Sequence, residues 1–230
     1  AILMDADTGA ILYEKNAYER NYPASTTKIL TGLLVAQNNA LSDVVTFSSE
    51  AANSVSLEDA TLASKTGEQF TVEQALYGLL LHSANEMAYA LAEHTSGSLS
   101  AFVDKMNETA KNAGALDTHF ANASGLYDAN HYTTAYDLYL IFNACIQDQR
   151  FMDIISMDSY TMNLTGADGT TRTFDVVPTN YYSSGKINAP EGIRVFGGKT
   201  GTTDEAGCCV ILYSEDLEKN PYISIIMGAE

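Results

Sequence analysis

Basic residues, cysteines and long apolar runs are all scarce in this sequence of 230 residues. Lysine and arginine number 12 against 29 aspartates and glutamates, so the formal net charge is −17. A chain this acidic repels a polyphosphate backbone and an anionic membrane surface, and we expect no nucleic-acid partner. The most apolar stretch, residues 29–35, is too short to cross a bilayer, so we expect no membrane anchor in this sequence.

The cysteines are Cys145, Cys208 and Cys209, an odd number without a spaced framework, so a disulfide-stapled fold is not expected. A vicinal disulfide or a thiol site at the adjacent pair stays open, although neighbours in a strand point to opposite faces and favour a structural role. The cysteines also lack metal-ligand spacing, and no His-Glu-x-x-His string occurs. We therefore expect neither a metal nor a cofactor.

Both ends of the chain have the character of strands. Residues 1–4 and 10–13 are apolar runs joined by small polar residues and a glycine, which is typical of a hairpin. Three more strands are predicted at 193–196, 208–213 and 222–227. We expect the five strands to form one antiparallel sheet.

The middle of the chain changes to a helical period. Helices are predicted at 25–37, 71–81, 87–94, 99–113 and 134–147, and Thr71 with Gln74 forms a capping pattern at the start of the second. Residues 156–192 show no sustained period and are interpreted as short strands and loops leading back to the sheet. The prediction is an α+β fold with one catalytic domain over 1–230, divided into a sheet subdomain (about 1–30 and 150–230) and a helical subdomain (about 31–149).

The first candidate site is Ser25 with Lys28. A serine and a lysine three apart on a helix share a face, near enough for proton transfer. A buried lysine beside another positive charge loses its proton readily and can activate the hydroxyl, while the helix start offers free backbone N–H groups to an oxyanion. Ser183 and Lys186 have the same spacing, but their loop has no helical period to align them.

The second candidate is Ser83 with Asn85, the only Ser-x-Asn in the chain, at the break between two helical runs. A hydroxyl there can relay a proton to a leaving amine, and the amide can hold a substrate carbonyl and the Lys28 ammonium. The alternative is a serine that caps a helix corner.

The third candidate is Lys199, Thr200 and Gly201, at the end of an apolar strand. Flanking glycines let a ligand lie against the strand, and the lysine and the hydroxyl suit a substrate carboxylate. The same triplet begins at Lys65, but there it leads into the capped helix and is interpreted as a loop.

Together and in this order, these motifs resemble the serine-type D-alanyl-D-alanine carboxypeptidases, the low-molecular-mass penicillin-binding proteins of peptidase family S11. The resemblance extends along almost the whole chain. It includes the opening hairpin at 3–16, the nucleophile segment at 23–28, and the segments 120–126 and 131–138, which are typical of these carboxypeptidases and absent from β-lactamases.

The resemblance implies a β-lactamase/penicillin-binding-protein-like fold and removal of the terminal D-alanine from peptidoglycan stem peptides. It implies that Ser25 is acylated, that Lys28 is its base, and that Ser83 and Asn85 manage proton relay and positioning. Lys199 and Thr200 would hold the terminal carboxylate beside Gly201, and the N–H groups of Ser25 and Thr202 would bind the oxyanion. It also implies covalent inhibition by β-lactams and an extracytoplasmic, bacterial location, with any signal peptide and membrane anchor outside this fragment.

One departure from the family's pattern is Ala84 and Glu86, where Ser-Gly-Asn-Asp is usual. The sequence also ends where members continue to a basic residue near the carboxylate and to a further β-rich domain. A D,D-endopeptidase, a transpeptidase, a β-lactamase-like hydrolase and a non-catalytic wall-peptide or lactam-binding module stay open as alternatives. No Glu-x-x-Leu-Asn loop occurs for fast lactam hydrolysis, and no Gly-x-Ser-x-Gly elbow occurs for a Ser-His-Asp hydrolase, so ordinary structural roles are expected for His82, His94, His119 and His131.

Overall fold

The computed structural model describes residues 1–56 and 58–230 and contains a five-stranded antiparallel sheet built from both ends of the chain. Its strands are β1 (Ile2–Asp5), β2 (Ile11–Glu14), β7 (Ile193–Thr203), β8 (Gly207–Asp216) and β9 (Pro221–Ala229), in the order β2-β1-β9-β8-β7. All four neighbouring pairs are antiparallel. The predicted α+β fold with its terminal sheet is confirmed, and β7 lies at the edge of the sheet.

A second sheet was not predicted from the sequence. It has four strands in chain order: β3 (Val44–Thr46), β4 (Gln69–Thr71), β5 (Tyr160–Thr165) and β6 (Thr171–Val176). Residues 156–192 do contain short strands and loops that lead to β7, as expected, but β5 and β6 join the second sheet, where Gln69 of β4 pairs with Thr165 of β5. This sheet joins strands from both predicted subdomains, since β3 and β4 lie within 31–149 and β5 and β6 within 150–230. The division of the chain into two subdomains stays a prediction.

The helices follow the apolar periodicity of the sequence. They are α1 (Lys28–Asn38), α2 (Ser49–Ala52), α3 (Val72–Leu80), α4 (Asn85–Ser96), α5 (Leu99–Asn112), α6 (Ala135–Cys145) and α7 (Gln149–Ile155). The predicted capping box begins α3: the Gln74 N–H donates to the Thr71 hydroxyl, and the Thr71 N–H donates to the Gln74 side chain. Of these helices α2 and α7, the two shortest, were not predicted.

Helix α1 lies at the centre of the molecule. Every residue from Lys28 to Ala36 is buried, because α3, α4, α5, α6 and α7 all pack around this helix. Full burial of each leucine or isoleucine contributes about 1.5–3 kcal/mol, which makes α1 a rigid base for the residues at its N-terminus. Within residues 1–56 and 58–230, no helix combines the length and the apolar content that crossing a bilayer requires.

Candidate active site

Ser25 lies on a tight turn at the start of the central helix. Residues Ala24–Thr27 form a 3-10 helix, here called the Ser25 turn, which continues directly into α1 at Lys28. Side chains three residues apart eclipse one another in a 3-10 helix, so Ser25 and Lys28 are aligned. The Lys28 Nζ atom lies 2.8 Å from the Ser25 Oγ atom. The two side chains therefore lie within reach of direct proton transfer.

Lys28 is enclosed by oxygen atoms and shielded from solvent. Its Nζ atom donates to the Asn85 side-chain oxygen at 2.6 Å and to the Ser124 backbone carbonyl at 2.6 Å. The residue is 0% exposed. Burial lowers the pKa of Lys28 well below its ordinary value, and the charge of Lys199 lowers it further, against smaller opposing effects from two carboxylates. The neutral amine therefore forms more readily here than on an exposed lysine.

The surroundings of Lys28 orient that neutral amine toward the serine. A neutral amine has two N–H bonds and one lone pair, whereas the Asn85 amide oxygen and the Ser124 carbonyl accept hydrogen bonds and cannot donate them. The two N–H bonds therefore point at these two oxygens, and the lone pair faces the Ser25 hydroxyl. This is the arrangement that a serine needs to lose its proton as it attacks a carbonyl.

Ser83 and Lys199 form a second polar pair. Ser83 lies between α3 and α4 with a φ of +68°, a left-handed conformation that is uncommon outside glycine and concentrates at functional sites. The Lys199 Nζ atom donates to the Ser83 hydroxyl at 2.8 Å and to the Thr200 carbonyl at 2.7 Å. Burial lowers the pKa of Lys199 to about 7, so this lysine changes charge near neutral pH.

A groove gives solvent access to Ser25. A cavity of about 530 Å³ is lined by Ser25, Asn85 and Thr202. The rest of its wall includes four acidic residues, Glu58, Asp59, Asp204 and Glu205. The nucleophile candidate is thus open to a ligand, although its lysine partner is buried behind it. The acidic wall repels a free carboxylate.

The strand β7 approaches the Ser25 turn with its free edge. Gly201 is necessary for this approach, because a Cβ atom there would lie 2.6 Å from the Ser25 backbone nitrogen. An edge strand leaves alternate N–H groups without a partner in the sheet, and such donors can serve an oxyanion. Thr202, on the same edge, lines the groove.

Thr200 lines a different cavity from Ser25. Its Oγ1 atom lies 2.5 Å from the Oγ1 atom of Thr179, and both residues line a second cavity of about 500 Å³. Thr202 lines both cavities and connects them. A contact of Thr200 with the same ligand as Ser25 therefore requires a ligand that passes Thr202.

The second copies of two motifs do not assemble a site. Lys186, three residues after Ser183, places its Nζ atom 4.8 Å from the centre of the Tyr181 ring, and Ser183 contacts Asn180 instead. Lys65 lies in the loop before β4. The three cysteines are free thiols, with Cys145 and Cys209 buried and Cys208 exposed at the second cavity, so the vicinal disulfide is excluded.

Two groups in the site, the Ser124 carbonyl and His131, were not predicted from the sequence patterns. The Ser124 carbonyl is a backbone group, and no side-chain pattern reports where such a group points. His131, expected to have an ordinary structural role, lies 2.8 Å from the Thr27 hydroxyl in the Ser25 turn. The one sequence feature that pointed to His131 was its place in segment 131–138, which belongs to the family resemblance together with segment 120–126.

Comparison with known proteins agrees with the fold. The family model described as D-alanyl-D-alanine carboxypeptidase, peptidase S11, matches residues 1–230. The chain is 35% identical over 240 residues to the D-alanyl-D-alanine carboxypeptidase DacF of Bacillus subtilis, and the match covers 100% of this chain and 57% of DacF. It is 34% identical over 222 residues to the D-alanyl-D-alanine carboxypeptidase of Streptomyces sp. strain K15, covering 90% of this chain and 73% of the relative.

Solved structures give the same result. The crystal structure of the Streptomyces K15 DD-transpeptidase superposes with a TM-score of 0.89 at 30% identity, over 99% of this chain and 88% of that one. A penicillin-binding protein homologue from Mycobacterium tuberculosis superposes with a TM-score of 0.86 at 28% identity, over 99% and 81% of the two chains. The chain spans a little over half of DacF, at 57%. With its family model matched from end to end, this chain belongs to the D-alanyl-D-alanine carboxypeptidase family, peptidase S11.

Proposed function

We propose that this chain is the catalytic domain of a serine D-Ala-D-Ala carboxypeptidase that removes the terminal D-alanine from peptidoglycan stem peptides. The observation that supports this best is the position of Lys28, 2.8 Å from Ser25 and oriented by Asn85 and the Ser124 carbonyl. Family membership supplies the substrate class, and the groove beside Ser25 supplies the room for a peptide.

Acylation begins when Lys28 accepts the Ser25 hydroxyl proton. The Ser25 oxygen attacks the carbonyl carbon of the penultimate D-alanine, and the charge that develops on the carbonyl oxygen is stabilised by backbone N–H groups of Ser25 and Thr202. The C–N bond then breaks, the leaving nitrogen receives a proton through Lys28 and Ser83, and D-alanine departs. Lys28 then deprotonates a water molecule, which attacks the ester carbonyl. The acyl C–O bond to Ser25 breaks, the Ser25 oxygen takes the proton back from Lys28, and the shortened peptide departs.

Recognition of the substrate carboxylate falls to Lys199. The ammonium of Lys199 is the nearest cationic partner that the motifs provide, and a bound carboxylate favours its charged form. The acidic residues on the groove wall repel the carboxylate. The charges therefore fix the direction in which the peptide binds. In the same orientation the carboxylate of a β-lactam antibiotic binds at Lys199, so its strained amide acylates Ser25 and inhibits the enzyme.

The pH dependence of kcat/KM tests these two roles. Lys28 must be neutral to act as a base, so kcat/KM rises as pH passes the lowered pKa of Lys28, well below 10.5. Lys199 must be charged to bind the carboxylate, so kcat/KM falls again above about pH 7. A peptide with an amidated C-terminus serves as the control, because it lacks the carboxylate and should lose the fall above pH 7. An acid limb near the ordinary lysine pKa of about 10.4 would contradict the role of Lys28.

The test of the function is release of free D-alanine from an acyl-D-Ala-D-Ala peptide. We expect wild type to release D-alanine and Ser25→Ala to release none above the uncatalysed level, because the acyl-enzyme cannot form. Ser183→Ala, in the second Ser-x-x-Lys copy, should retain the wild-type rate. Release that survives Ser25→Ala would remove the central assignment.

Transpeptidation is a second candidate, because the superposed Streptomyces K15 structure is described as a DD-transpeptidase. The two activities share the acyl-enzyme and differ in whether water or an amine attacks it. Adding a D-amino acid or a glycyl peptide as acceptor separates them: a carboxypeptidase gives mainly the hydrolysed peptide, and a transpeptidase gives the new amide. The reaction places the enzyme outside the cytoplasm of a bacterium, where the stem peptides lie.

A further inference from the structure

His131 connects two segments of the candidate active site. The side chain is 2% exposed. Its Nδ1 atom accepts a hydrogen bond from the backbone N–H of Ala121 at 3.2 Å, and its Nε2 atom lies 2.8 Å from the Oγ1 atom of Thr27. Because Nδ1 faces a donor, the ring proton is on Nε2 and is donated to Thr27. The contacts thus specify one neutral tautomer.

The two contacts of His131 belong to the two segments that contain and contact Lys28. Thr27 precedes Lys28 in the Ser25 turn, and Ala121 begins the segment 121–125, whose Ser124 carbonyl accepts from the Lys28 amine at 2.6 Å. Gly125 of that segment is pressed against the turn, since a Cβ atom there would lie 1.8 Å from the Ala24 carbonyl oxygen. His131 therefore ties the segment that holds the Ser124 carbonyl to the turn that holds the nucleophile.

We propose that His131 is a positioning residue, whose bridge between Ala121 and Thr27 keeps the Ser124 carbonyl on the Lys28 amine so that the amine lone pair faces Ser25. This inference rests on the proposed function, because it assigns His131 a part in the activation of Ser25. It gives His131 no contact with the substrate and no proton to transfer. Its effect is on the step in which Ser25 is acylated.

The bridge requires a neutral ring. An imidazolium would turn an N–H toward the Ala121 N–H and would add a positive charge near Lys28. Burial lowers the pKa of His131 to about 4, Asp128 opposes this shift, and His119 and Lys28 reinforce it. Near pH 7, where Lys199 titrates, His131 therefore keeps its neutral tautomer and the bridge stays intact.

Two substitutions each remove one half of the bridge. In His131→Asn the amide oxygen takes the place of Nδ1 and retains the Ala121 contact, but nothing reaches Thr27. In His131→Gln the amide N–H takes the place of Nε2 and retains the Thr27 contact, but nothing accepts from Ala121. We expect each variant to lower the limiting rate of acylation by a fluorescent penicillin by roughly 10–100-fold, because small displacements of a catalytic group have effects of this size. The dissociation constant of the initial penicillin complex should not change.

The matched control is His119→Gln. His119 pairs with Tyr132, next to His131, through backbone hydrogen bonds, and its side chain contacts Asn130 rather than the Ser25 turn. This variant should be acylated at the wild-type rate. Thr27→Val removes the same hydrogen bond from the other side without altering His131 and keeps the test available if a His131 variant does not fold. The double variant Thr27→Val with His131→Asn should be acylated no more slowly than either single variant, because both substitutions remove the same His131–Thr27 hydrogen bond.

The outcomes separate the two hypotheses. If wild type is not acylated at Ser25, the proposed function is wrong, whatever His131 does. If wild type is acylated and both His131 variants and Thr27→Val react within about threefold of it, His131 has only a structural role and the inference is overturned. An equal loss in the two His131 variants, with unchanged initial binding and an unaffected His119→Gln, supports the bridge.

Discussion

Replacing Lys28 by methionine should lower the rate of acylation by a fluorescent penicillin by about 10²–10⁴-fold, the usual contribution of a positioned general base. Methionine has nearly the same length and lacks a proton acceptor, so Ser25 keeps its place but loses its base. The site is buried, and an apolar side chain is tolerated there except that the Asn85 oxygen and the Ser124 carbonyl lose their donor. Each unpaired group costs about 1–3 kcal/mol of stability, which urea unfolding measures separately.

The matched control is Lys186→Met. Lys186 has the same spacing from a serine, but its amine lies 4.8 Å from the centre of the Tyr181 ring and has no hydroxyl to activate. Acylation of this variant should proceed at the wild-type rate. If Lys28→Met reacts within tenfold of wild type while remaining folded, another group activates Ser25.

Substituting alanine for Gly125 should damage both the stability and the reactivity of the protein. Gly125 has a φ of +88°, and a Cβ atom would lie 1.8 Å from the Ala24 carbonyl oxygen, an overlap that only movement of the backbone can relieve. The left-handed backbone costs about 1–2 kcal/mol for alanine. The overlap adds about 1–3 kcal/mol or more. The displaced backbone belongs to the Ser25 turn and to the segment with the Ser124 carbonyl, so we expect acylation to fall roughly 100-fold as well.

Gly97→Ala separates the two causes. Gly97 has a φ of +77°, and no atom lies within 4 Å of the Cβ position. This variant should show the backbone cost alone, about 1–2 kcal/mol by urea unfolding, with normal acylation. Similar losses in the two variants would show that the Gly125 contact is unimportant.

The sequence predicted the terminal sheet and the long helices well because each has a sustained local signal. The capping residues Thr71 and Gln74 marked the start of α3 within one residue, and the strands at 193–227 each contain an apolar run bounded by turn residues. The second sheet has no such signal. Strands β3 and β4 are three residues long, too short for a period of two to register, and β4 meets β5 almost a hundred residues away, at Gln69 and Thr165.

For the site, side-chain motifs located Ser25, Lys28, Ser83, Asn85 and Lys199, and the structure brings them into two hydrogen-bonded groups. Their catalytic roles stay predictions until they are measured. The Ser124 carbonyl was missed because backbone groups have no residue signature. A carboxylate contact of Thr200 stays a prediction. The side chain of a strand residue takes its direction from the register, which the motif did not supply, and the Thr200 hydroxyl contacts Thr179.

The most direct measurement is mass spectrometry of the protein after incubation with penicillin, followed by peptide mapping. The mass should increase by one intact penicillin, the adduct should be on the peptide containing Ser25, and Ser25→Ala should show no increase. An adduct on another residue, or one that persists in Ser25→Ala, would contradict a nucleophile activated by Lys28.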